Sequence, residues 1–213
     1  MTHPHWPLLD LRLTSGDLVL SAVAEADLAD VTRRLPADVE LNPAATVFGV
    51  DAATQRGVVV HQEYWRYYGT WSPTAWRLNF GVRRGGELIG LQELEGNDFP
   101  TLRTVDTSSW LVPGARGSGT GKRMRRAVLA LAFGPLEARA AVTSAWHDNT
   151  ASLGVSRSIG YQPNGESFLA RDDGVDTLVH LRMTREQWEA TGAGRGVTIE
   201  GFEPCRPYFG IGG

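Results

Sequence analysis

The feature that most restricts the fold of this chain is a glycine-rich turn between a strand-like segment and a helix-like segment. Three glycines alternate with other residues in Arg116-Gly117-Ser118-Gly119-Thr120-Gly121. The apolar residues that follow recur at helical spacing and form one stripe, which comprises Met124, Ala127, Val128, Leu131 and Ala132. Such a turn directs backbone amides into one concavity, and the start of the helix adds a partial positive charge. The turn therefore predicts a binding site for an anion, most simply a phosphate group.

Basic side chains at the start of the helix support this prediction. They are Lys122, Arg123, Arg125 and Arg126. Exposed cations at a helix N-terminus are unfavourable by about 0.3–1 kcal/mol each, and a bound diphosphate would reverse that effect. The alternative interpretation is a glycine-rich connector followed by a solvated basic helix face.

Two well-known phosphate motifs do not fit this turn. A P-loop would place glycine where Arg116 stands and a hydroxyl-bearing residue where Arg123 stands. A dinucleotide-binding turn has its third glycine three residues after the second, whereas Gly121 comes two residues after Gly119. Both motifs are excluded.

The order of elements around the turn favours an α/β domain. Residues 103–112 are strand-like, a helix begins at Gly121, and residues 140–147 are strand-like again, so a parallel pair is expected. A further helix ends at Ile159, with Gly160 as its C-cap. We also predict strands over 8–13, 18–23, 76–82, 87–94, 167–171 and 177–183, helices over 24–31 and 58–68, a loop over 93–100 and a turn over 172–174.

The length of 213 residues suits a single domain, which we place over residues 1–190. Residues 191–213 form a C-terminal extension that could supply an edge strand or an interface segment, and a homodimer is possible.

The net charge of -3 offers no overall positive field for nucleic acid or anionic membranes. Cys205 is the only cysteine, which suits a reducing compartment. Residues 1–7 lack the pattern of a signal peptide, so we expect a cytoplasmic protein that binds neither membrane, nucleic acid nor metal.

The turn resembles the acetyl-CoA loop of the GNAT N-acetyltransferase family, which reads Arg or Gln, two residues, Gly, one residue, then Gly or Ala. Arg116, Gly119 and Gly121 occupy those places. Residues 109–113 resemble the preceding strand in the RimJ/RimL-like branch, and residues 148–152 with 159–161 resemble the family's asparagine-helix-glycine-aromatic segment. The matches span roughly residues 75–185. The resemblance implies the GNAT fold, an α/β fold whose mixed central sheet is splayed between two parallel strands and flanked by helices.

The resemblance also implies a set of contacts to acetyl-CoA as co-substrate. Backbone groups of the strand before the loop would hold the pantetheine arm and the thioester, and the loop would hold the diphosphate. Asn149 matches a family residue that binds the arm, although an N-cap role fits it equally. The implied contact residues are Trp110, Leu111, Val112, Arg116, Gly117, Ser118, Gly119, Thr120, Gly121, Lys122, Asn149 and Ser152.

Transfer of an acetyl group to an amine requires a base, because alkylamines are mostly protonated at neutral pH. Asp106 stands where many family members carry glutamate and would act through a water molecule. Glu93 and Glu95 are rival bases, and a solvated carboxylate is the alternative for each. Ser152 matches a serine of the RimJ/RimL-like branch and is favoured as proton donor to the thiolate. Ser156 replaces the usual tyrosine and is a poor acid, and either serine could merely cap or coat the helix.

The sequence thus predicts an N-acetyltransferase that moves acetyl from acetyl-CoA to a primary amine by direct attack in a ternary complex. The acceptor is a protein N-terminus or a small-molecule amine. Aromatic residues over 64–71 and the tail from Gly201 are candidates to line its site. The alternative function is a non-catalytic CoA-binding sensor or assembly module.

Overall fold

The computed structural model describes residues 3–42, 45–171 and 174–211, which form a mixed sheet of ten strands and six α-helices. The strands are β1 (Arg12–Ser15), β2 (Leu18–Ala22), β3 (Ala75–Arg84), β4 (Glu87–Asn97), β5 (Thr104–Asp106), β6 (Ser109–Leu111), β7 (Ala140–Trp146), β8 (Gln162–Arg171), β9 (Gly174–Thr184) and β10 (Val197–Glu200). The helices are α1 (Leu28–Arg34), α2 (Ala52–Gly69), α3 (Phe99–Leu102), α4 (Thr120–Phe133), α5 (Thr150–Ile159) and α6 (Arg185–Thr191). The strand order is β10-β1-β2-β3-β4-β5-β7-β9-β8, and β6 pairs with β4.

The first strand is shorter than the sequence predicts. Residues Pro7–Asp10 form a 3-10 helix instead of the start of a strand, with Pro7 in its first turn. Proline is favoured at this position because its missing N–H would have no partner there. The predicted hairpin follows as β1 and β2, and Gly16 supplies the positive φ of +60° that its turn requires.

Two further boundaries differ from prediction. The predicted loop over 93–100 is wrong, because β4 continues to Asn97, which pairs with Ala75 of β3. Helix α2 begins six residues before the predicted start, at Ala52. The Asp51 carboxylate caps it by accepting hydrogen bonds from the amides of Ala53 and Thr54, both at 3.0 Å.

The predicted strand over 103–112 is divided into two strands with different partners. β5 runs parallel to β7, with Thr104 opposite Ala140 and Asp106 opposite Val142. β6 instead pairs antiparallel with β4. The last link across the parallel pair is the Thr143 hydroxyl, which donates to the Thr107 carbonyl at 2.9 Å. Beyond it β6 and β7 diverge, which confirms the predicted splay between two parallel strands, and we call the opening the gap.

The two faces of the sheet are covered by different helices. The predicted stripe of α4 packs into the main core, where Ala127, Val128, Leu131 and Ala132 are fully buried. Leu91 of β4 points the other way and packs in a second apolar cluster with Leu28 and Val31 of α1. Successive residues of a strand point to opposite faces, so α1 and α4 lie on opposite sides.

The C-terminal part completes the sheet. β10 pairs with β1 at the edge, with Arg12 opposite Glu200 and Ser15 opposite Val197. Phe202, Phe209 and Ile211 are buried in the main core. Helix α6, which the sequence analysis did not predict, begins in a capping box between Thr184 and Gln187.

The outer hairpin of β8 and β9 is longer than predicted on both strands. Part of its predicted turn, residues 172 and 173, lies outside the described residues. Among the helices of the described residues, none is both long and apolar enough to cross a bilayer.

Candidate active site

The glycine-rich turn has an open cradle at its centre. Gly117 and Gly119 have φ of +74° and +78°, and a Cβ built at either position would meet no atom within 4 Å. Gly119 is the N-cap residue of α4, and its cap has no side-chain hydrogen bond. The first amides of α4 therefore remain available to a ligand, as an anion site at a helix start requires.

The basic residues after the turn do not act as one cluster. The Arg123 guanidinium is ion-paired with Asp17, and Arg125 is 3% exposed on the inner face of α4. Lys122 lies partly buried in the first turn. The buried Thr120 hydroxyl accepts a hydrogen bond from Arg84 at 2.8 Å. The side chain of Thr120, a predicted acetyl-CoA contact residue, therefore stabilises the turn from its buried side.

Arg116 joins three parts of the chain. Its Nε donates to the Leu111 carbonyl at 2.9 Å, and its terminal nitrogens donate to the two Asp38 oxygens at 2.6 and 2.9 Å. The hydrogen bond from Arg116 lowers the pKa of Asp38. The guanidinium of Arg116 is thus paired with a carboxylate.

The segment after α1 reaches both sides of the gap. Asp38 contacts Arg116 beside β6, whereas Glu40 accepts from the Trp146 ring nitrogen at 2.9 Å at the end of β7. Glu40 also pairs with Arg171 of β8 at 2.9 Å. Residues 36–42 therefore form a bridge over the gap.

The edge of β6 that faces the gap can pair with amide and carbonyl groups of a ligand. The Glu93 amide donates to the Ser108 carbonyl and the Val112 amide donates to the Ile89 carbonyl, at 2.8 and 3.0 Å. Alternate residues of an antiparallel strand bond to the same neighbour, so the peptide groups of Ser109 and Leu111 face the gap. The Trp110 side chain packs against the second apolar cluster, as its core interpretation predicted.

Helix α5 begins on the other side of the gap. The Asn149 side chain accepts from the Ser152 amide at 3.0 Å, so its N-cap interpretation is correct. Ser152 is partly buried in the first turn. Ser156 is 1% exposed, and its hydroxyl donates to the Ser152 carbonyl at 3.1 Å, which turns it away from the gap and disfavours it as an acid.

Asp106 lies at the point where the parallel strands separate. It is opposite Glu95 in the ladder between β5 and β4, so both carboxylates lie on the α1 face of the sheet. Burial raises the pKa of Asp106 to about 6 and the charge of Glu95 adds to the rise, while the Thr107 amide, Arg125 and Arg77 oppose it. A carboxyl group with a pKa near neutrality is suited to proton transfer.

Arg77 and Glu93 complete a polar cluster on that face. Arg77 is ion-paired with Glu95 and lies 3.5 Å from Glu93, which also accepts from the Ser108 hydroxyl. Burial raises the pKa of Glu93, and Arg77 opposes this rise. A cavity of about 180 Å³ opens here, lined by Arg77, Glu93, Glu95, Asp106, Thr107, Ser108 and Ser144. The three predicted candidate bases therefore share one cavity.

A family profile for the acetyltransferase (GNAT) domain matches residues 17–162. The chain belongs to the GNAT acetyltransferase family. RimJ from Mycobacterium smegmatis, solved in complex with CoA-disulfide, is similar, with 19% identity over 88% of this chain and 97% of that chain and a TM-score of 0.64. Spermidine N-acetyltransferase from Vibrio cholerae, solved with CoA and spermine, shares 14% identity over 81% and 98% of the two chains, with a TM-score of 0.62. These GNAT structures share the fold.

A second cavity shares part of its lining with the first. It measures about 380 Å³ and lies between β3, β4, α1 and α2. From the aromatic segment over 64–71, Tyr64 and Tyr67 line this cavity, whereas Trp71 packs against Trp6, Trp76 and Phe209. The described residues of the tail from Gly201 contribute to neither cavity.

The sequence analysis missed Arg77, although a signal existed. Arg77 and Asn79 interrupt the apolar residues of β3 at a spacing of two, as Glu93 and Glu95 do in β4. That alternation places all four side chains on one face of the hairpin. Within the described ranges, no group of three or more His, Cys, Asp or Glu residues is arranged to hold a metal ion.

Proposed function

We propose that this GNAT protein transfers an acetyl group from acetyl-CoA to a primary amine, with both substrates bound at once. The observation that carries the proposal is the position of Asp106, whose pKa is raised to about 6 where β5 and β7 separate. The chain runs from β6, at the edge of the gap, through Pro113–Ala115 into the open cradle of Gly117 and Gly119. Donor and acceptor would therefore approach the same opening from opposite faces of the sheet.

The cradle fits the diphosphate of acetyl-CoA. Two glycines with positive φ leave the space open, and the start of α4 supplies amides and partial positive charge. The backbone of residues 117–121 would bind the diphosphate, with Lys122 beside it. The Ser109 carbonyl and the Leu111 amide, which face the gap, would hold the pantetheine arm, and Asn149 lies at the facing end of α5.

The chemistry assigned to the chain's own residues is proton transfer. Asp106 takes a proton from the acceptor ammonium through a water molecule, which leaves a neutral amine. The nitrogen attacks the thioester carbonyl, a C–N bond forms and the C–S bond breaks. As the amide forms, the nitrogen gives up its second proton, and the departing thiolate takes up one proton, so that the products are the amide and the CoA thiol. Ser152 is the better placed of the two serine candidates to relay that proton to the thiolate, because Ser156 is buried.

The cluster of carboxylates favours an enzyme over a non-catalytic CoA-binding module. A module that only binds CoA would have no use for Asp106, Glu93 and Glu95 in one cavity on the face opposite α4. Burying a carboxylate costs free energy unless the charge is paired, and Arg77 is ion-paired with Glu93 and Glu95 but not with Asp106. A buried carboxyl group with a raised pKa is typical of a site of proton transfer. The structural neighbour that acts on spermidine is also an amine acetyltransferase.

Release of free CoA thiol tests the proposal. Purified protein is mixed with acetyl-CoA and a panel that includes alkylamines, spermidine and short peptides with free N-termini. The proposal expects thiol release that depends on both enzyme and amine, with acetylated amine as the product. Binding of acetyl-CoA without acceleration by any amine would support the non-catalytic alternative instead.

A further inference from the structure

We infer that the acceptor is a small monoamine with an apolar body, whose ammonium group binds at the carboxylate cavity while the body fills the larger cavity. This inference rests on the proposed function and names its substrate class. It follows from the composition of the two cavities and from the way they join.

Much of the wall of the larger cavity is apolar. The apolar lining includes Leu28, Val31, Leu35, Val60, Leu91 and Trp110. Tyr64 and Tyr67 add aromatic edges. At about 380 Å³ the cavity is of the size that binds small molecules. A wall of this kind stabilises alkyl or aryl groups by removing their surface from water.

The smaller cavity carries an excess of negative charge. Glu93, Glu95 and Asp106 line it, and Arg77 is the one basic residue in its lining. When all are ionised, three negative charges face one positive charge, so the cavity has a net charge of about -2 before a ligand binds. One ammonium group would reduce that excess, and no neutral or anionic head group would.

The two cavities are continuous in their lining. Arg77, Glu93 and Ser108 line both, and they lie between the apolar wall and Asp106. An amine extended through both would place its nitrogen at Asp106 and its body against α1 and α2. The amine nitrogen would then lie on the face of the gap opposite α4.

The charges farther from Asp106 argue against a polyamine. Glu63 and Glu40 reach the larger cavity, but Glu63 is ion-paired with Arg66 and Glu40 with Arg171. A second ammonium group would therefore meet carboxylates that are already neutralised and a wall that is largely apolar. A monoamine fits both cavities, because its ammonium group binds at the carboxylates and its apolar body packs against the apolar wall.

The first test compares hexylamine with ethylamine in wild-type protein by thiol release. The two ammonium groups have the same acidity, so the comparison measures the contribution of the alkyl group alone. We expect kcat/KM to be at least about tenfold higher for hexylamine, below the roughly 200-fold that complete burial of four methylene groups would give. Spermidine and a peptide N-terminus should be poorer acceptors than hexylamine.

The second test fills the apolar cavity. Val60 lines it and lies away from the carboxylates, so Val60→Phe should lower kcat/KM for hexylamine about tenfold or more and leave ethylamine within about threefold. Val58→Phe is the matched control, because Val58 is on the same helix and does not line the cavity. Circular dichroism and thermal unfolding establish that both variants fold.

The outcomes separate this inference from the proposed function. Equal turnover of ethylamine and hexylamine, or better turnover of spermidine or a peptide, would overturn the inference and leave acetyl transfer intact. An equal loss with both amines in Val60→Phe would also contradict it. If no amine releases thiol although acetyl-CoA binds, the proposed function itself fails.

Discussion

Asp106 of β5 lies directly opposite Glu95 of β4, so two carboxylates face one cavity at the point where the parallel strands separate. Burial raises the pKa of Asp106 to about 6 and the charge of Glu95 adds to the rise, while the Thr107 amide, Arg125 and Arg77 oppose it. This pairing makes Asp106 the candidate base and leads to predictions for both rate and stability.

Asp106→Asn should lower kcat/KM by about 10²–10⁴, the usual contribution of a positioned base. In wild-type protein, ionised Asp106 takes the proton of the bound ammonium, so log kcat/KM should rise with a slope of about 1 below pH 6 and level off above it. The variant lacks the base and reacts only with neutral amine, so its slope should stay at about 1 throughout. Asp98→Asn, at an exposed position, is the isosteric control. A wild-type profile with no inflection near pH 6 would exclude Asp106 as the base.

The same substitution should stabilise the fold. The pKa of Asp106 is raised from 3.8 to about 6, so the folded protein binds more protons than the unfolded chain between those values. Stability therefore falls as pH rises through this window, and the loss is complete above pH 6. Asp106→Asn should add about 1–3 kcal/mol to the free energy of unfolding at pH 7.5 and little at pH 3.5. Urea titrations at both pH values measure it, and a pH-independent difference would contradict the linkage.

Gly119→Glu should abolish measurable binding of acetyl-CoA. The added carboxylate would enter the open cradle and repel the diphosphate, while the positive φ of Gly119 costs about 1–2 kcal/mol in stability. Gly49→Glu is a matched control, since Gly49 has φ of +69° and open space in the loop before α2. Calorimetry should show normal affinity of the control for acetyl-CoA. Unchanged affinity in Gly119→Glu would contradict the proposal that the glycine-rich turn binds the diphosphate.

Asp38→Asn should strengthen acetyl-CoA binding about two- to fivefold at low salt. Asp38 holds both terminal nitrogens of Arg116, and solvent screens an exposed ion pair of this kind, so it competes only weakly with a bound diphosphate. Loss of the carboxylate releases the guanidinium to approach the diphosphate. Calorimetric Kd values measure the change, and weaker binding would show instead that the bridge of residues 36–42 helps to hold the ligand.

Arg125→Met should move the Asp106 inflection to higher pH. The guanidinium lies under the gap, within 3.4 Å of the Thr143 hydroxyl and 3.3 Å of the Ser109 hydroxyl, and its charge lowers the pKa of Asp106. Arg125→Lys retains the charge and should keep the inflection nearer its original position. An inflection that does not move in Arg125→Met would limit Arg125 to a packing role.

Much of the fold could be predicted from local patterns. The apolar stripe of α4 and the Gly160 cap of α5 follow from short-range spacing, and the structure confirms both. The division of residues 103–112 into β5 and β6 could not be predicted, because their partners β7 and β4 lie in different parts of the chain. The partners of a strand depend on tertiary packing, which local propensity does not predict.

The candidate site could likewise be predicted only in part from the sequence. The alternating glycines indicate an anion cradle from sequence alone, and Asp106, Glu93 and Glu95 were candidates individually. Their presence in one cavity depends on the register between β4 and β5, which sequence spacing does not supply. The buried orientation of Ser156 likewise depends on which face of α5 meets the core.

The most direct test of the central claim is a crystal structure of the protein with CoA and an amine that the turnover assay accepts. We expect the diphosphate at the amides of residues 117–121 and the CoA sulfur in the gap between β6 and β7. The amine nitrogen should lie on the Asp106 face, within roughly 4 Å of the sulfur. A diphosphate bound away from the glycine-rich turn, or an amine nitrogen on the α4 face, would contradict the claim.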